Sequence, residues 1–283
     1  MLRKIQNYLI GSDVEVFVVN TVTGEVISAE GLIGGTKKKP KPLERNGCAV
    51  QEDNVMAEFN VPPTTDPQDM YDNIVYVLNY LTNSLPEGFD VKIIPAAKLD
   101  EKYLKTPQAM EIGCDPDYNA WTKMRNIPPD IETLEGLRSC GGHIHIGYDN
   151  PTKAMSIKLI KALDLFLTVG SIIKDRDILR RQIYGKAGAY RIKPYGVELR
   201  TLSNFWISSL DNVKWVFKGI ERAVEFVNSG KIIDEELASA ICRAINNSDI
   251  RLATYLADEY NLLDEKDGLP TLVKQFELSD TNS

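Results

Sequence analysis

The chain's only two histidines stand two residues apart, in Cys140-Gly141-Gly142-His143-Ile144-His145-Ile146-Gly147. In a strand, side chains at i and i+2 leave the same face. His143 and His145 therefore point together, and Ile144 and Ile146 fill the buried side. Two imidazoles on one strand face suit a metal ion or a phosphate group. A pair of hydrogen-bonded core histidines is the plainer alternative. Concentrating both histidines in one Gly-flanked strand favours chemistry over packing.

Three further segments share this design. Gly11 to Val18 places Asp13 and Glu15 on one face, with Val14, Val16 and Val18 on the other. Gln51 to Asn60, read as one strand, groups Glu52, Asn54, Glu58 and Asn60 against Val55, Ala57 and Phe59. Gly196 to Leu202 sets Glu198 beside Arg200. A merely solvated sheet face mixes Lys, Thr, Ser and Glu, whereas these faces hold almost only carboxylates, imidazoles and one Arg. Carboxylates crowded on one face repel unless cations hold them. An oxygen-rich set with an occasional imidazole suits Mg²⁺ or Mn²⁺ rather than structural zinc. On such a face, deleting one carboxylate relieves repulsion. Glu58→Gln and Glu198→Gln are thus expected to leave the metal-free fold at least as stable.

Between the His strand and Glu198 lies Arg180-Arg181-Gln182-Ile183-Tyr184-Gly185-Lys186-Ala187-Gly188-Ala189-Tyr190-Arg191. Gly185 and Gly188 allow backbone N–H groups to approach an anion, and Arg180, Arg181, Lys186 and Arg191 supply cations. The stretch is not a Walker A sequence, and a basic surface loop is the alternative. Its place just before Glu198 and Arg200 favours a binding role. A carboxylate cage beside a cationic loop describes a site for a metal–nucleotide triphosphate.

The elements that must position these residues follow from periodicity. A hairpin runs from Val14–Val19 to Val26–Ile27. Asp66-Pro67 opens a helix to about Leu81, with Met70, Ile74, Val77, Leu78 and Leu81 as its apolar stripe. Pro151 opens a long helix to about Lys174, and Arg176 to Lys193 reads as a loop with a short helix. Asp211–Val227, Glu235–Ile245 and Ile250–Tyr260 are helical, and the tail after Glu277 frays. Strands mixed with helices, without strict βαβ alternation, indicate an α+β fold. Faces drawn from residues 13 to 200 converge only on one sheet. The expectation is one domain over 1–283, with a helical C-terminal part at 211–283. Its curved, mainly antiparallel sheet would carry the site on the concave face and helices on the convex one. Tyr118, Trp121 and Trp206 are candidates to shape an acceptor pocket, with core packing the stronger reading for Trp206.

At 43% hydrophobic and 26% charged residues, the chain is neither a disordered nor a membrane-embedded sequence. A net charge of −7, with one basic cluster at Lys37-Lys38-Lys39 and Lys41 read as a solvated loop, argues against nucleic acid or an anionic membrane as partner. No secretory leader or membrane-spanning run is visible. Cys48, Cys114, Cys140 and Cys242 lack a CxxC spacing and read as reduced thiols of a cytoplasmic protein.

The ordered pieces GSDVEVF, QEDNVMAEFNVPP, GCDPDYNAW, CGGHIHIG, YGKAGAYRIKP and GVELRTLSNFW resemble the carboxylate–amine ligases related to glutamine synthetase and glutamate–cysteine ligase. More closely, they resemble the phage-encoded COOH–NH2 ligase (amidoligase) type 2 family, which places the protein in a host cytoplasm. The resemblance implies a glutamine-synthetase-like domain binding ATP and divalent cations. It implies formation of an amide, through an acyl phosphate, from a carboxylate and an amine carried by a small molecule, a peptide or a protein side chain. It assigns metal binding to Asp13, Glu15, Glu58, His143 and Glu198, with Glu52 or Asp53 as companion. It gives Arg200 the transferred phosphate, and Glu58 and Glu198 a share in catalysis. Nucleotide contacts fall to Arg180, Lys186, Arg191, Arg200 and His145. Asp13 stands where relatives often carry Glu. The same residues leave open a metal-dependent phosphotransferase or hydrolase on the same fold, or a non-catalytic virion-associated binding protein; oligomeric state is open as well.

Overall fold

A computed structural model describes residues 4–111, 117–127, 130–175 and 178–263. Part of the GCDPDYNAW motif, Cys114, Arg176 and the tail after Glu277 lie outside the described residues.

Six strands matter for the site. They are β1 (Leu9–Asn20), β2 (Ala49–Asp53), β3 (Met56–Thr64), β4 (Gly142–Gly147), β5 (Ala189–Lys193) and β6 (Gly196–Leu199). Their order across the sheet is β2-β3-β1-β4-β6-β5, with every pairing antiparallel. Short strands Lys41–Pro42 and Tyr118–Asn119 close the two outer edges, so the sheet is open. The far end of β1 pairs instead with Val26–Ile27 and Phe89–Lys92. Ala96–Lys98 and Leu137–Ser139 form a separate two-stranded sheet.

One face of the sheet is apolar and sealed. Val14, Val16, Ala57, Phe59, Ile144, Ile146, Val197 and Leu199 are all fully buried. Against them pack α1 (Pro67–Ser84) and α2 (Lys153–Leu163), which continues through a π turn at Asp164–Thr168 into α3 (Val169–Lys174). Then come the short α4 (Leu179–Ile183) and α5 (Leu210–Asn228), α6 (Glu235–Asn246) and α7 (Ile250–Tyr260). The start of α1 is fixed by Asp66, whose side chain accepts from Gln68 N at 2.8 Å, with Pro67 entering the first turn. Its buried residues Met70, Ile74, Val77 and Leu81 follow the helical repeat. The α+β expectation is met by this helix-backed antiparallel sheet. Among the described residues no helix is long and apolar enough to cross a membrane.

One element differs from expectation. Residues 51–60 are not one strand but the hairpin β2–β3, turning at Asn54 with φ +55°. Asn tolerates this left-handed conformation, and its side chain holds the turn by donating to Gln108 O and Ala109 O. The turn inverts the alternation. Gln51 and Asp53 now share the face of Glu58, while Glu52 goes to the other side.

Candidate functional site

Residues directly opposite one another in antiparallel strands share a face. The register sets Gln51 opposite Glu58 and Glu58 opposite Glu15. It sets Asn60 opposite Asp13 and Asp13 opposite His143. It sets His145 opposite Glu198 and Glu198 opposite Arg191. Three rows of polar groups thus cross the polar face, brought together from β2, β3, β1, β4, β6 and β5. The free cysteines Cys48, Cys140 and Cys242 lie outside these rows.

The tightest grouping is Asp13, His145 and Glu198, whose ligating atoms all lie within 4.8 Å of one another. His145 Nε2 is 3.1 Å from Asp13 Oδ2 and 3.9 Å from Glu198 Oε2. His143 Nδ1 is 3.3 Å from Asp13 Oδ1 and 3.7 Å from Glu198 Oε1. Close as they are, Asp13 Oδ1 and His145 Nε2 make no hydrogen bond of good geometry. Buried polar atoms are rarely left so. Two carboxylates and an imidazole, two of whose converging atoms are unsatisfied, are a donor set that fits a divalent cation. Tyr195 Oη hydrogen-bonds His145 Nδ1 at 2.8 Å and fixes the ring, as an outer partner of a metal-binding His does.

Cations gather around Glu198. Arg200 Nη1 contacts Glu198 Oε1, Lys193 Nζ lies 2.8 Å from Oε2, and Arg191 Nη1 lies 3.3 Å from Oε2. Arg200 Nε also reaches Asp117 Oδ1 at 3.4 Å. Burial, the largest influence, would raise the Glu198 carboxyl, but Arg200, His143 and Arg191 together outweigh it and hold it at about 2. Asp13 is pushed up by burial, yet the two imidazoles beside it hold it well below the usual carboxylate range. Burial, then the charge of Arg200, lowers His143 and keeps its imidazole neutral, the form that ligates metals.

The Glu58 end has the opposite character. Burial raises Glu58 well above the usual range, and the charges of Asp13, Asp53 and Glu15 add to this. Burial and Asp53 bring Glu15 up to about 7, against the N–H of Gly141, which donates to its Oε2 at 2.5 Å. Gln51 Nε2 donates to Glu58 Oε2 at 2.6 Å, and Lys37 Nζ pairs with Asp53 at 2.6 Å. Gly141 is held small by His143: an added Cβ would meet its Nε2 at 2.5 Å.

The structure therefore brings Asp13, Glu15, Glu58, His143, His145, Arg191, Glu198 and Arg200 to one face. Three expected site residues go elsewhere. Glu52 Oε1 accepts from Ile33 N at 3.1 Å and Gly34 N at 2.8 Å, a loop-capping role that follows from the hairpin turn. Lys186 Nζ turns away to the carbonyl of Asn246 at 3.2 Å. Arg180 is buried, its Nη1 donating to Thr201 O at 2.8 Å, so it buttresses the Arg200 strand end; it still borders the cleft near Glu15. Arg181 binds Ser171 Oγ at 2.9 Å. Trp206 is core, donating to Gly142 O at 3.1 Å. Trp121 donates to the buried Asp164 at 2.7 Å, and Tyr118 packs on Tyr190.

Sequence reading missed Lys193, Lys37 and Tyr195, and named Asp53 only as the alternative to Glu52. Lys193 was readable, since it alternates with Arg191 on one strand. Lys37 was not, because a loop of no periodicity carries it across to Asp53.

Residues 135–272 match the model of the phage phiEco32-like COOH.NH2 ligase-type 2 family. This stretch matches the model of the family that the motifs resemble. It carries His143, His145, Arg191, Lys193, Glu198 and Arg200, while Asp13, Glu15 and Glu58 precede it. The enzyme class expected from the sequence, a carboxylate–amine ligase, is the class this family's name states. No curated protein sequence matches the chain. Among solved structures, a bifunctional glutathione synthetase from Pasteurella multocida is similar over 91% of this chain, at 10% identity and a TM-score of 0.46. The chain spans about half the length of that protein, 51%.

Proposed function

We propose that this protein is an ATP- and Mg²⁺-dependent carboxylate–amine ligase, acting through an acyl phosphate in a single glutamine-synthetase-like domain. The observation that carries this reading is the pairing, on one sheet face, of the Asp13–His145–Glu198 donor triad with Arg191, Lys193 and Arg200. A hydrolase of neutral substrates has no use for three cations beside the metal ligands. A γ-phosphoryl group in transfer, with charge spread over its oxygens, does.

In this reading Asp13, His145 and Glu198, with His143 beside them, would hold a divalent cation, and Glu15 and Glu58 would hold another. When bound, these ions neutralise the triphosphate and polarise its γ-phosphoryl group. Arg200 offers its planar fork to two phosphoryl oxygens, and Lys193 and Arg191 add charge at the same edge. A substrate carboxylate oxygen attacks the γ-phosphorus, the bond to the ADP oxygen breaks, and an acyl phosphate forms. The amine nitrogen then attacks the acyl carbon and loses a proton as inorganic phosphate leaves. The acceptor acid and amine remain a class: a carboxylate and an amine, on a metabolite, a peptide or a protein of phage or host. Neither nucleic acid nor membrane is assigned as partner.

Trapping tests this directly. With ATP, Mg²⁺ and a panel of carboxylic acids, hydroxylamine should give a hydroxamate and stoichiometric ADP. ADP release that needs no acid would instead identify a phosphohydrolase, and absence of nucleotide binding would remove catalysis altogether.

A further inference from the structure

The acidic face opens on a cleft bordered by Glu15, Asp53, His143, Arg180 and Arg200 on the site side. On another wall stands Arg138, from the separate two-stranded sheet, only 5% exposed. Its partners are neutral oxygens. Nε donates to Asn54 Oδ1 at 3.3 Å, Nη1 to Leu137 O at 3.0 Å and Nη2 to Ala109 O at 3.0 Å. These use three of the five N–H donors of a guanidinium, which never deprotonates in proteins. Among the described residues no carboxylate pairs with it, although Arg180 and Arg200, across the same cleft, both lie near acids.

A buried charge without a counter-charge is costly, and natural chains retain one where a ligand supplies the opposite charge. The three carbonyl-type acceptors fix the plane of the fork and leave one N–H donor on each Nη, the number a bidentate carboxylate takes. Asn54 links the two parts of the cleft: its Oδ1 holds Arg138, and it is the turn residue next to Asp53 in the hairpin that carries Glu58. Arg138 is thereby held in register with the acidic face without belonging to it.

We propose that Arg138 anchors a second carboxylate of the acid substrate, so that the ligase takes a small dicarboxylic acid and activates the carboxylate further from Arg138. This rests on the ligase reading for the activated end only. Arg138 and Arg200 line the same cleft, so a short diacid is the form of ligand that reaches both. One carboxylate would meet the fork of Arg138, while the other would meet the cations at the triad.

The probes are succinate, glutarate and adipate, each compared with its monoamide, in which one carboxylate becomes a neutral group of the same shape. Calorimetry on the full chain with Mg²⁺ and a non-hydrolysable ATP analogue should show at least one dicarboxylate binding more than tenfold tighter than its monoamide. Arg138→Gln should abolish this preference, with a loss on the order of a hundredfold for the dicarboxylate and an unchanged nucleotide affinity. Arg138→Lys keeps the charge, loses the fork and should restore part of the preference; it also serves if the Gln variant does not fold. Equal binding of diacids and monoamides by the wild type, or no diacid binding, overturns the proposal. So does a loss of nucleotide affinity in Arg138→Gln, which would make Arg138 a triphosphate contact. Diacid binding that depends on Arg138 without hydroxamate formation would keep this subsite and reject the ligase reading. Hydroxamates formed from monocarboxylic acids in wild type and variant alike would do the reverse.

Discussion

Glu198 and Glu58 lie on the same sheet face, three strands apart, and live in opposite electrostatic states. Glu198 is fully buried among Arg200, Lys193 and Arg191 and stays ionised far below neutral pH. Glu58 faces Glu15 across the β1–β3 ladder, with Asp13 and Asp53 nearby, and burial plus those charges keep it protonated well above the usual range. At one end, basic side chains already balance the Glu198 charge before any cation binds. The other is a set of carboxylates whose ionisation awaits a cation. The difference teaches that similar strand patterns, each with an acid facing the site, encode different tasks. Which task is set by the neighbouring strand: β5 supplies cations to Glu198, and β2 supplies Gln51 and Asp53 to Glu58.

Removing the two acids should separate the ends most strongly. Glu198→Gln and Glu58→Gln should each lower turnover by about a hundredfold or more, since both remove charge facing the reacting phosphoryl group. Their effects on the metal-free fold should have opposite signs. Glu198→Gln removes the buried carboxylate that Arg200, Lys193 and Arg191 share, a change that typically costs about 3–5 kcal/mol. That reverses the expectation from sequence, in which every acid on the face repelled its neighbours. Glu58→Gln removes the repulsion and keeps an acceptor for Gln51, and should raise the apo melting temperature by about 3 °C. Denaturant and thermal melts of both variants decide the matter. A Glu198→Gln protein as stable as wild type would show that the Arg200 end is no network at all.

The pH dependence of the apo protein sharpens the same contrast. Glu15 titrates at about 7 in the folded chain against an ordinary 4.5, and Glu58 is raised too. The native state therefore binds more protons than the unfolded one between these values, and apo stability should fall as pH rises through that window. Each raised group contributes a slope of up to about 1.4 kcal/mol per pH unit. Glu198 works in the opposite direction: its contribution is present above pH 4.5 and is lost as pH falls towards 2. Melting temperature without metal should thus decline from pH 5 to pH 7.5, and Mg²⁺ should restore most of the loss at pH 7.5 and little at pH 5. A flat profile, or equal Mg²⁺ effects at both values, would mean the Glu15–Glu58 end binds no cation.

Much of this face was legible. Asp13, Glu15, His143, His145, Glu198 and Arg200 came from alternation alone, because a strand's period is rigid and its opposite face is a core of Val, Ile and Leu. The sheet-and-helix class followed from the same periodicities. What failed was the reading of Gln51 to Asn60 as continuous. Asn54 was there to see, but an Asn without a following Gly is a weak turn signal, and one missed turn reverses the face of every residue before it. The 180–191 loop failed for another reason. Its glycines and cations were real, but whether a cation on an irregular segment meets ligand or backbone is decided by tertiary contacts that no local pattern records. Arg191 faces the site because it lies in β5, and Lys186 does not because it precedes the strand.

The smallest expected effects test that last distinction. Glu52→Gln retains a carbonyl oxygen able to accept from Ile33 and Gly34, so it should cost less than about 1 kcal/mol and leave turnover near wild type. Lys186→Ala removes a single exposed bond to Asn246 O, worth within about 0.5 kcal/mol, and should leave ATP affinity within about twofold. Arg191→Ala, eleven residues after Arg180 and on the same loop-to-strand stretch, should behave differently: it takes one cation from beside Glu198 and should weaken ATP binding by about tenfold. Dissociation constants for ATP with Mg²⁺, measured on all three variants, give the comparison. The decisive result is the ratio between Lys186→Ala and Arg191→Ala. If Lys186→Ala weakens ATP as much as Arg191→Ala, the loop swings onto the nucleotide when it binds, and the division drawn here between strand cations and loop cations is wrong.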